Sequence, residues 1–230
     1  MNWREEAEAV ARLGYPKEVC GLVVVVKGRE RYWPCPNCAD GDDHFVIDPA
    51  DYAAAEDAGE VVGVFHSHCN VPPEPSEADL VSCEASGLEW HIVGIPTGRW
   101  HSFKPSGYQA PLVGRQFQHG VLDCYALIRD WYQRERGIEL LDFDRTDGWW
   151  HRGQNLYLEN FGKAGFVETD ELHAGAVLLM QVQAPVPNHA AIYLGDDTIL
   201  HHLHGRLSSR DVFGGYFKKN CVKVLRYAGN

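Results

Sequence analysis

Val61-Val62-Gly63-Val64-Phe65-His66-Ser67-His68 is an apolar run that ends in two imidazoles two positions apart. In a strand, residues i and i+2 share a face. The run therefore predicts a buried strand, Val61 to Phe65, that delivers His66 and His68 side by side, where both rings can reach one ion. Eight positions beyond His68 stands Ser76, and three further on comes Asp79. An S-x-x-D pattern is also an ordinary helix start, with a capping hydroxyl and an acidic residue at the third helical position. Both readings put Asp79 in the first turn of a helix. There its carboxylate can complete a His2Asp set and leave a fourth position open for water.

Working outward, strand and helix patterns alternate. Trp3 to Leu13 reads as a short helix stopped by Gly14 and Pro16, and Cys20 to Val26 as a β-branched strand that returns through Lys27-Gly28 into Arg31-Tyr32-Trp33. Asp48-Pro49 offers an N-cap and a first-turn proline, Ala53-Ala54-Ala55 a helical middle, and Gly59 a stop. Glu89 to Ile95 and Trp100 to Phe103 flank Pro96-Thr97-Gly98-Arg99, which predicts a second hairpin. This half is α/β or α+β.

Pro105-Ser106-Gly107-Tyr108-Gln109-Ala110-Pro111 carries two prolines and a glycine and no apolar period. It reads as a linker, 105–111, between domains at 1–104 and 112–230. Charge changes at the same place. Of 21 basic and 32 acidic side chains, residues 1–108 hold 8 and 18, so nearly all of the formal charge of −11 lies in the first half. Such acidity repels phosphate backbones and anionic lipid, which argues against direct nucleic-acid binding. No apolar run approaches the ~18 residues of a membrane span, so no membrane insertion is expected. Seven cysteines cannot all pair, and Met1-Asn2-Trp3-Arg4-Glu5-Glu6 lacks the apolar stretch of a secretory signal. Both point to synthesis in a reducing cytoplasm, with thiols free for chemistry.

In the second half, Cys124 to Arg134 has Leu127, Ile128 and Trp131 at helical spacing, and Asn155 to Phe161 suggests another helix. Ala176 to Val182, Ala190 to Leu194, Thr198 to Leu200 and Val222 to Tyr227 read as strands. Asp123 is a natural N-cap that puts Cys124 in the first turn, where the helix dipole favours a thiolate. His189 opens one strand and His201 ends the next, across Gly195-Asp196-Asp197, so a hairpin sets the two rings side by side and one can orient the other. His202 and His204 follow, and their neighbourhood also admits a metal reading; they are taken as surface residues. Cys35-Pro36-Asn37-Cys38 is a single C-x-x-C without a second pair and is discounted as a zinc or redox motif.

His66-Ser67-His68, seven residues, Ser76, two more and Asp79 resemble the signature of the JAMM (JAB/MPN) zinc metallopeptidases. Glu18, in Glu18-Val19-Cys20-Gly21-Leu22, is similar to the glutamate that this family carries before a first core strand. The resemblance implies zinc on His66, His68 and Asp79, Glu18 as the proton carrier and Ser76 at the oxyanion. Cys69 stands where relatives usually carry proline. Residues 109–230 resemble the NlpC-type papain-like peptidases that cut bacterial cell-wall peptides. By that resemblance Cys124 is the nucleophile, His189 the general base and acid, His201 its orienting partner, and Asp123 lies at the cleft; this site needs no cofactor. The usual Ser-Gly after the nucleophile is Tyr125-Ala126, and Leu112 stands where relatives place a tyrosine, with His119 a conceivable substitute.

Together these likenesses imply an α+β or α/β chain of two small domains. One is a JAB/MPN-type (cytidine-deaminase-like) sheet with flanking helices; the other is a papain-like domain whose cysteine-bearing helix packs on an antiparallel sheet. The combination resembles a tail-tip family of lambda-type phages. It implies other tail-tip proteins and peptidoglycan stem peptides as partners, a place in the virion tail tip after synthesis in the host cytoplasm, and action at the host cell wall. The alternative is a structural assembly protein whose peptidase folds serve as docking modules.

Overall fold

In a computed structural model that describes residues 2–229, the chain divides into two compact units, residues 1–109 and 110–230. The first is a five-stranded mixed sheet with helices. Its elements are α1 (Trp3–Gly14), β1 (Cys20–Val26), β2 (Arg29–Cys35), α2 (Pro49–Ala58), β3 (Glu60–Cys69), α3 (Glu77–Ser86), β4 (Glu89–Ile95) and β5 (Arg99–Phe103), in sheet order β2-β1-β3-β4-β5. β3 and β4 are parallel and α3 crosses between them; the other neighbours are antiparallel. The period-2 reading of β3 holds. Val64 packs with Leu22 and Trp90 on one face, and Phe65 packs with Ala7, Ala11 and Val93 on the other. His66 and His68 follow Val64 onto its face and are buried.

Helix starts obey local capping chemistry. Asp48 accepts from the Ala50 N–H (2.8 Å), and Ser76 and Asp79 form a reciprocal capping box at α3. At the far end of α3, Gly87 adopts φ 67°, a left-handed cap that a side chain would strain.

The second unit comprises α4 (Cys124–Arg136), α5 (Leu156–Asn160), β6 (Phe166–Glu168), β7 (Val177–Met180), β8 (His189–Gly195), β9 (Thr198–His201), β10 (Ser209–Val212), α6 (Gly215–Asn220) and β11 (Cys221–Tyr227), with a 3₁₀ turn at Trp149–His151. Its six-stranded sheet, order β10-β9-β8-β7-β11-β6, is antiparallel throughout. α4 lies on it, burying Leu127, Ile128, Trp131 and Tyr132 against Leu179, Ala190, Ile192 and Leu200. At about 1.5–3 kcal/mol per buried large apolar side chain, this contact pins the helix that carries Cys124. β6, β10 and α6 are not anticipated by the sequence pattern. β10, Ser-Arg-Asp-Val, is a half-exposed edge strand with no apolar alternation to mark it.

The segment read as a linker is held at both ends. The Ser106 and Tyr108 N–H groups donate to the Glu84 carboxylate (2.5 and 2.9 Å), and Ala110 is buried with its carbonyl taken by Arg134 (2.8 Å). All seven cysteines are free, and among the described residues no helix is long and apolar enough to cross a membrane.

Arg115 is wholly buried. Its guanidinium pairs with Asp130 on α4, while its Nε and Nη2 find no partner. Asp130→Ala leaves that cation uncompensated. Urea unfolding of the second unit is expected to show a loss of about 2–3 kcal/mol, less than for a fully buried pair because Asp130 is a third exposed.

Candidate functional site

Each unit presents one cluster of chemistry-bearing side chains. In the first, the end of β3 and the cap of α3 bring together His66, His68 and Asp79, the one group of metal-ligating side chains that converges among the described residues. Their donor atoms lie within 4.8 Å of one another. The two Nε2 atoms are 3.1 Å apart, His66 Nε2 is 3.2 Å from Asp79 Oδ1, and His68 Nε2 is 3.3 Å from Asp79 Oδ2. The outer nitrogen of His68 reaches the Pro72 carbonyl at 2.9 Å, which sets Nδ1 as its donor and turns the Nε2 lone pair inward. The outer Nδ1 of His66 is buried without a partner, beneath the Phe45 and Trp90 rings. Two imidazole nitrogens and a carboxylate crowded on one point are the donor set of a divalent cation.

Burial raises the Asp79 carboxyl, but the facing imidazoles and the Ser76 hydroxyl outweigh it and hold the group well below the usual carboxylate range. For His66 burial wins and its pKa falls. For His68 burial is outweighed by Asp79, the Pro72 carbonyl and Glu18, and its pKa rises. Ser76 donates its hydroxyl to Asp79 Oδ2 (2.7 Å) and accepts the Asp79 N–H (3.1 Å), so it orients the Asp79 carboxylate. Glu18 is buried just before β1, and desolvation pushes its carboxyl up to about 8. Asn37, which sequence reasoning passed over inside the discounted C-x-x-C, bonds the carbonyls of Glu18 and His44 (both 2.9 Å) and thereby fixes the backbone at Glu18. Cys69 stands outside the converging group.

In the second unit, Cys124, His189 and Tyr157 line one cleft of about 370 Å³, with Phe117, Trp149 and Trp150 among its walls. Cys124 opens α4 as expected, but the capping acid is fully committed. Asp123 is buried and accepts from the N–H groups of Gly120 (3.1 Å), Tyr125 (3.0 Å) and Ala126 (2.8 Å) and from Arg145 Nε (2.8 Å). Two influences oppose each other at this thiol: the first helical turn favours a thiolate, whereas burial, aided by the Asp123 charge, pushes the thiol up to about 11, and burial pushes His189 down to about 3. The Tyr157 hydroxyl, the Ala190 N–H and the Arg145 charge act to lower the thiol and are outweighed.

His189 Nε2 and His201 Nδ1 are 3.1 Å apart. The ladder explains this: Ala191 faces His201 across β8 and β9, so His189 is the diagonal neighbour on the same face. Beyond His201, its Nε2 meets Asp211 Oδ2 at 2.8 Å, on the unanticipated strand β10. Tyr157 was also missed. Its hydroxyl lies 3.1 Å from Cys124 Sγ, which puts a phenol beside the thiol from α5 rather than from upstream. Leu112, at the usual tyrosine position, packs into the core, and His119 lies in the cleft wall, 3.8 Å from Asp147. His202 is not a surface residue: it is fully buried in the cleft wall, whereas His204 is exposed.

Comparison with known proteins agrees with both halves of this description. Residues 2–106 match the prokaryotic homologs of the JAB domain, and residues 114–226 match the NlpC/P60 family. A JAB1/MPN domain protein from Archaeoglobus fulgidus covers 48% of this chain and 91% of its own, at 23% identity and a TM-score of 0.34. Tail tip assembly protein K of Escherichia phage lambda is 41% identical over 183 residues, 79% of this chain and 89% of that protein. Tail tip assembly protein K of Escherichia phage N15 is 41% identical over 223 residues, 95% of this chain and 91% of that protein. With that identity spread over nearly its whole length, the chain belongs to the tail tip assembly protein K family, a prokaryotic JAB-domain homolog joined to an NlpC/P60 domain.

Proposed function

We propose that this chain is a tail-tip peptidase: its second unit hydrolyses peptide bonds in peptidoglycan stem peptides through Cys124, His189 and His201, and its first unit holds zinc for a second, (iso)peptidase site. The observation that carries the reading is the cleft lined by a buried thiol at a helix start, a phenol and the His189 imidazole, which is backed by His201. His189 takes the thiol proton as Cys124 Sγ attacks the peptide carbonyl carbon. The phenol of Tyr157, a donor already beside the sulfur, offers its O–H to the developing oxyanion. His189 then protonates the leaving amine, and water, deprotonated by the same ring, releases the acyl group from sulfur. Burial disfavours charge on the thiol and on the imidazole alike, which fits a pair that exchanges its proton with substrate in place.

The lining of the cleft supports an anionic substrate. In a chain of net charge −11, the cleft carries the more than half-exposed guanidinium of Arg206, and its acid, Asp123, is already paired with Arg145 and backbone N–H groups, so no free carboxylate opposes an anion there. Stem peptides bear free carboxylates, which suit such walls. Localisation at the virion tail tip, contact with other tail proteins and action at the host wall follow from this reading together with the name of the relatives.

In the first unit, His66, His68 and Asp79 fit a zinc ion. Zinc there supplies Lewis-acid chemistry, polarising a carbonyl and acidifying water. Glu18, raised to about 8, takes a proton and returns it to the leaving amine. Ser76 orients Asp79 and, by rotating its hydroxyl, lends a donor to the oxyanion. A second reading, assembly by docking without hydrolysis, is favoured by the word assembly in the relatives' names.

Purified chain is expected to digest isolated murein, and Cys124→Ala to abolish it; undiminished digestion by the variant would remove the thiol assignment. Tyr157→Phe should lower kcat by about 10- to 100-fold with KM little changed, as for loss of one oxyanion donor. Elemental analysis should find zinc close to one equivalent in wild type and almost none in His66→Ala with Asp79→Ala. Unchanged metal would locate it elsewhere.

A further inference from the structure

The imidazole pair of the thiol site does not end at His201. His201 Nε2 is 2.8 Å from Asp211 Oδ2, and the same oxygen accepts the Ser209 hydroxyl at 3.1 Å. An ionised carboxylate only accepts, so the proton on this contact belongs to His201 Nε2. A neutral His201 then has a bare Nδ1. That atom faces His189 Nε2 at 3.1 Å, so the proton of the second contact belongs to His189 Nε2. The remaining nitrogen of His189, Nδ1, is left as its lone pair. Without an acceptor behind it, His201 could carry its proton on Nδ1 instead. His189 would then be held in the opposite tautomer, with its lone pair spent on His201.

Building on the thiol-peptidase reading above, we propose that Asp211 is a positioning residue that sets the tautomers of His201 and His189, making His189 Nδ1 the base for Cys124, and steadies the imidazolium formed when that base takes its proton. Asp211 touches neither substrate nor sulfur; it acts through His201.

The surroundings of His201 are compatible with this role from every side. β10 brings Asp211 and Ser209, and β8 brings His189. α6 lays the Phe217 ring edge-on at 4.7 Å, which keeps water from the pair. The loop before β10 brings Arg206, whose guanidinium lies 3.8 Å from Asp211 but is more than half exposed, so it weakens the carboxylate's field only in part. His202 is the adjacent cleft-wall ring, itself bonded through Nε2 to the Arg206 carbonyl at 3.1 Å. A carboxylate stabilises the cationic form of the ring it faces, so loss of its charge makes the imidazolium easier to deprotonate.

The test uses the full chain and two readouts. The rate of Cys124 alkylation by iodoacetamide, followed on the Cys124 peptide by mass spectrometry, is measured against pH, and kcat and KM are measured on murein peptides. Wild type should show an imidazole-dependent limb that His189→Ala removes. In Asp211→Asn this limb should move to lower pH by about half a unit to one unit, and kcat should fall about tenfold or more with KM little changed. Asp211→Glu, which keeps the charge, should recover most of both. An Asp211→Asn profile that overlays wild type, with His189→Ala still shifted, overturns the role of Asp211 alone. If His189→Ala itself leaves the profile of Cys124 unchanged, the thiol-imidazole reading falls, and this proposal with it.

Discussion

A neutral imidazole removed from water needs one acceptor for its N–H and leaves one lone pair, and in both units that arithmetic decides where strand ends and helix caps must sit. His68 gives one nitrogen to the Pro72 carbonyl and turns the other toward Asp79; His189 gives one to His201, which gives its own to Asp211. In each case a strand supplies the rings at period two or across a ladder, and an acid from another element completes the pattern. Had the acid been absent, a buried polar ring would cost roughly 1–3 kcal/mol with nothing in return.

The acids differ in how they are held. Asp79 is locked by the capping box of α3, so the helix that carries this carboxylate also orients it toward His66 and His68. Asp123 shows the reverse. It stands next to Cys124, and its bonds go to backbone N–H groups and to Arg145, so it fastens the start of α4. Adjacency in sequence to a reactive residue is thus a poor guide to role when the neighbour is a cap.

Burial sets the titration of the buried groups in both units: it raises the Glu18 carboxyl and the Cys124 thiol and lowers the His189 imidazole. At Cys124 the first-turn position, which favours a thiolate, works against the cost of burying a charge there.

What the amino-acid sequence by itself determined was everything local. Strand period placed His66 and His68 on one face, capping chemistry placed Asp79 and Cys124 in first helical turns, and the hairpin length brought His201 back to His189. Those relations span a dozen residues or fewer, and backbone geometry dictates them. Only the tertiary structure decided the rest. Tyr157 reaches Cys124 from 33 positions away, Asn37 reaches Glu18 from 19, and Asp211 sits on an edge strand too polar to announce itself. Each of these contacts depends on how whole elements pack. No spacing rule encodes that, because it is the summed burial of the core, not any local pattern, that chooses which distant side chain arrives.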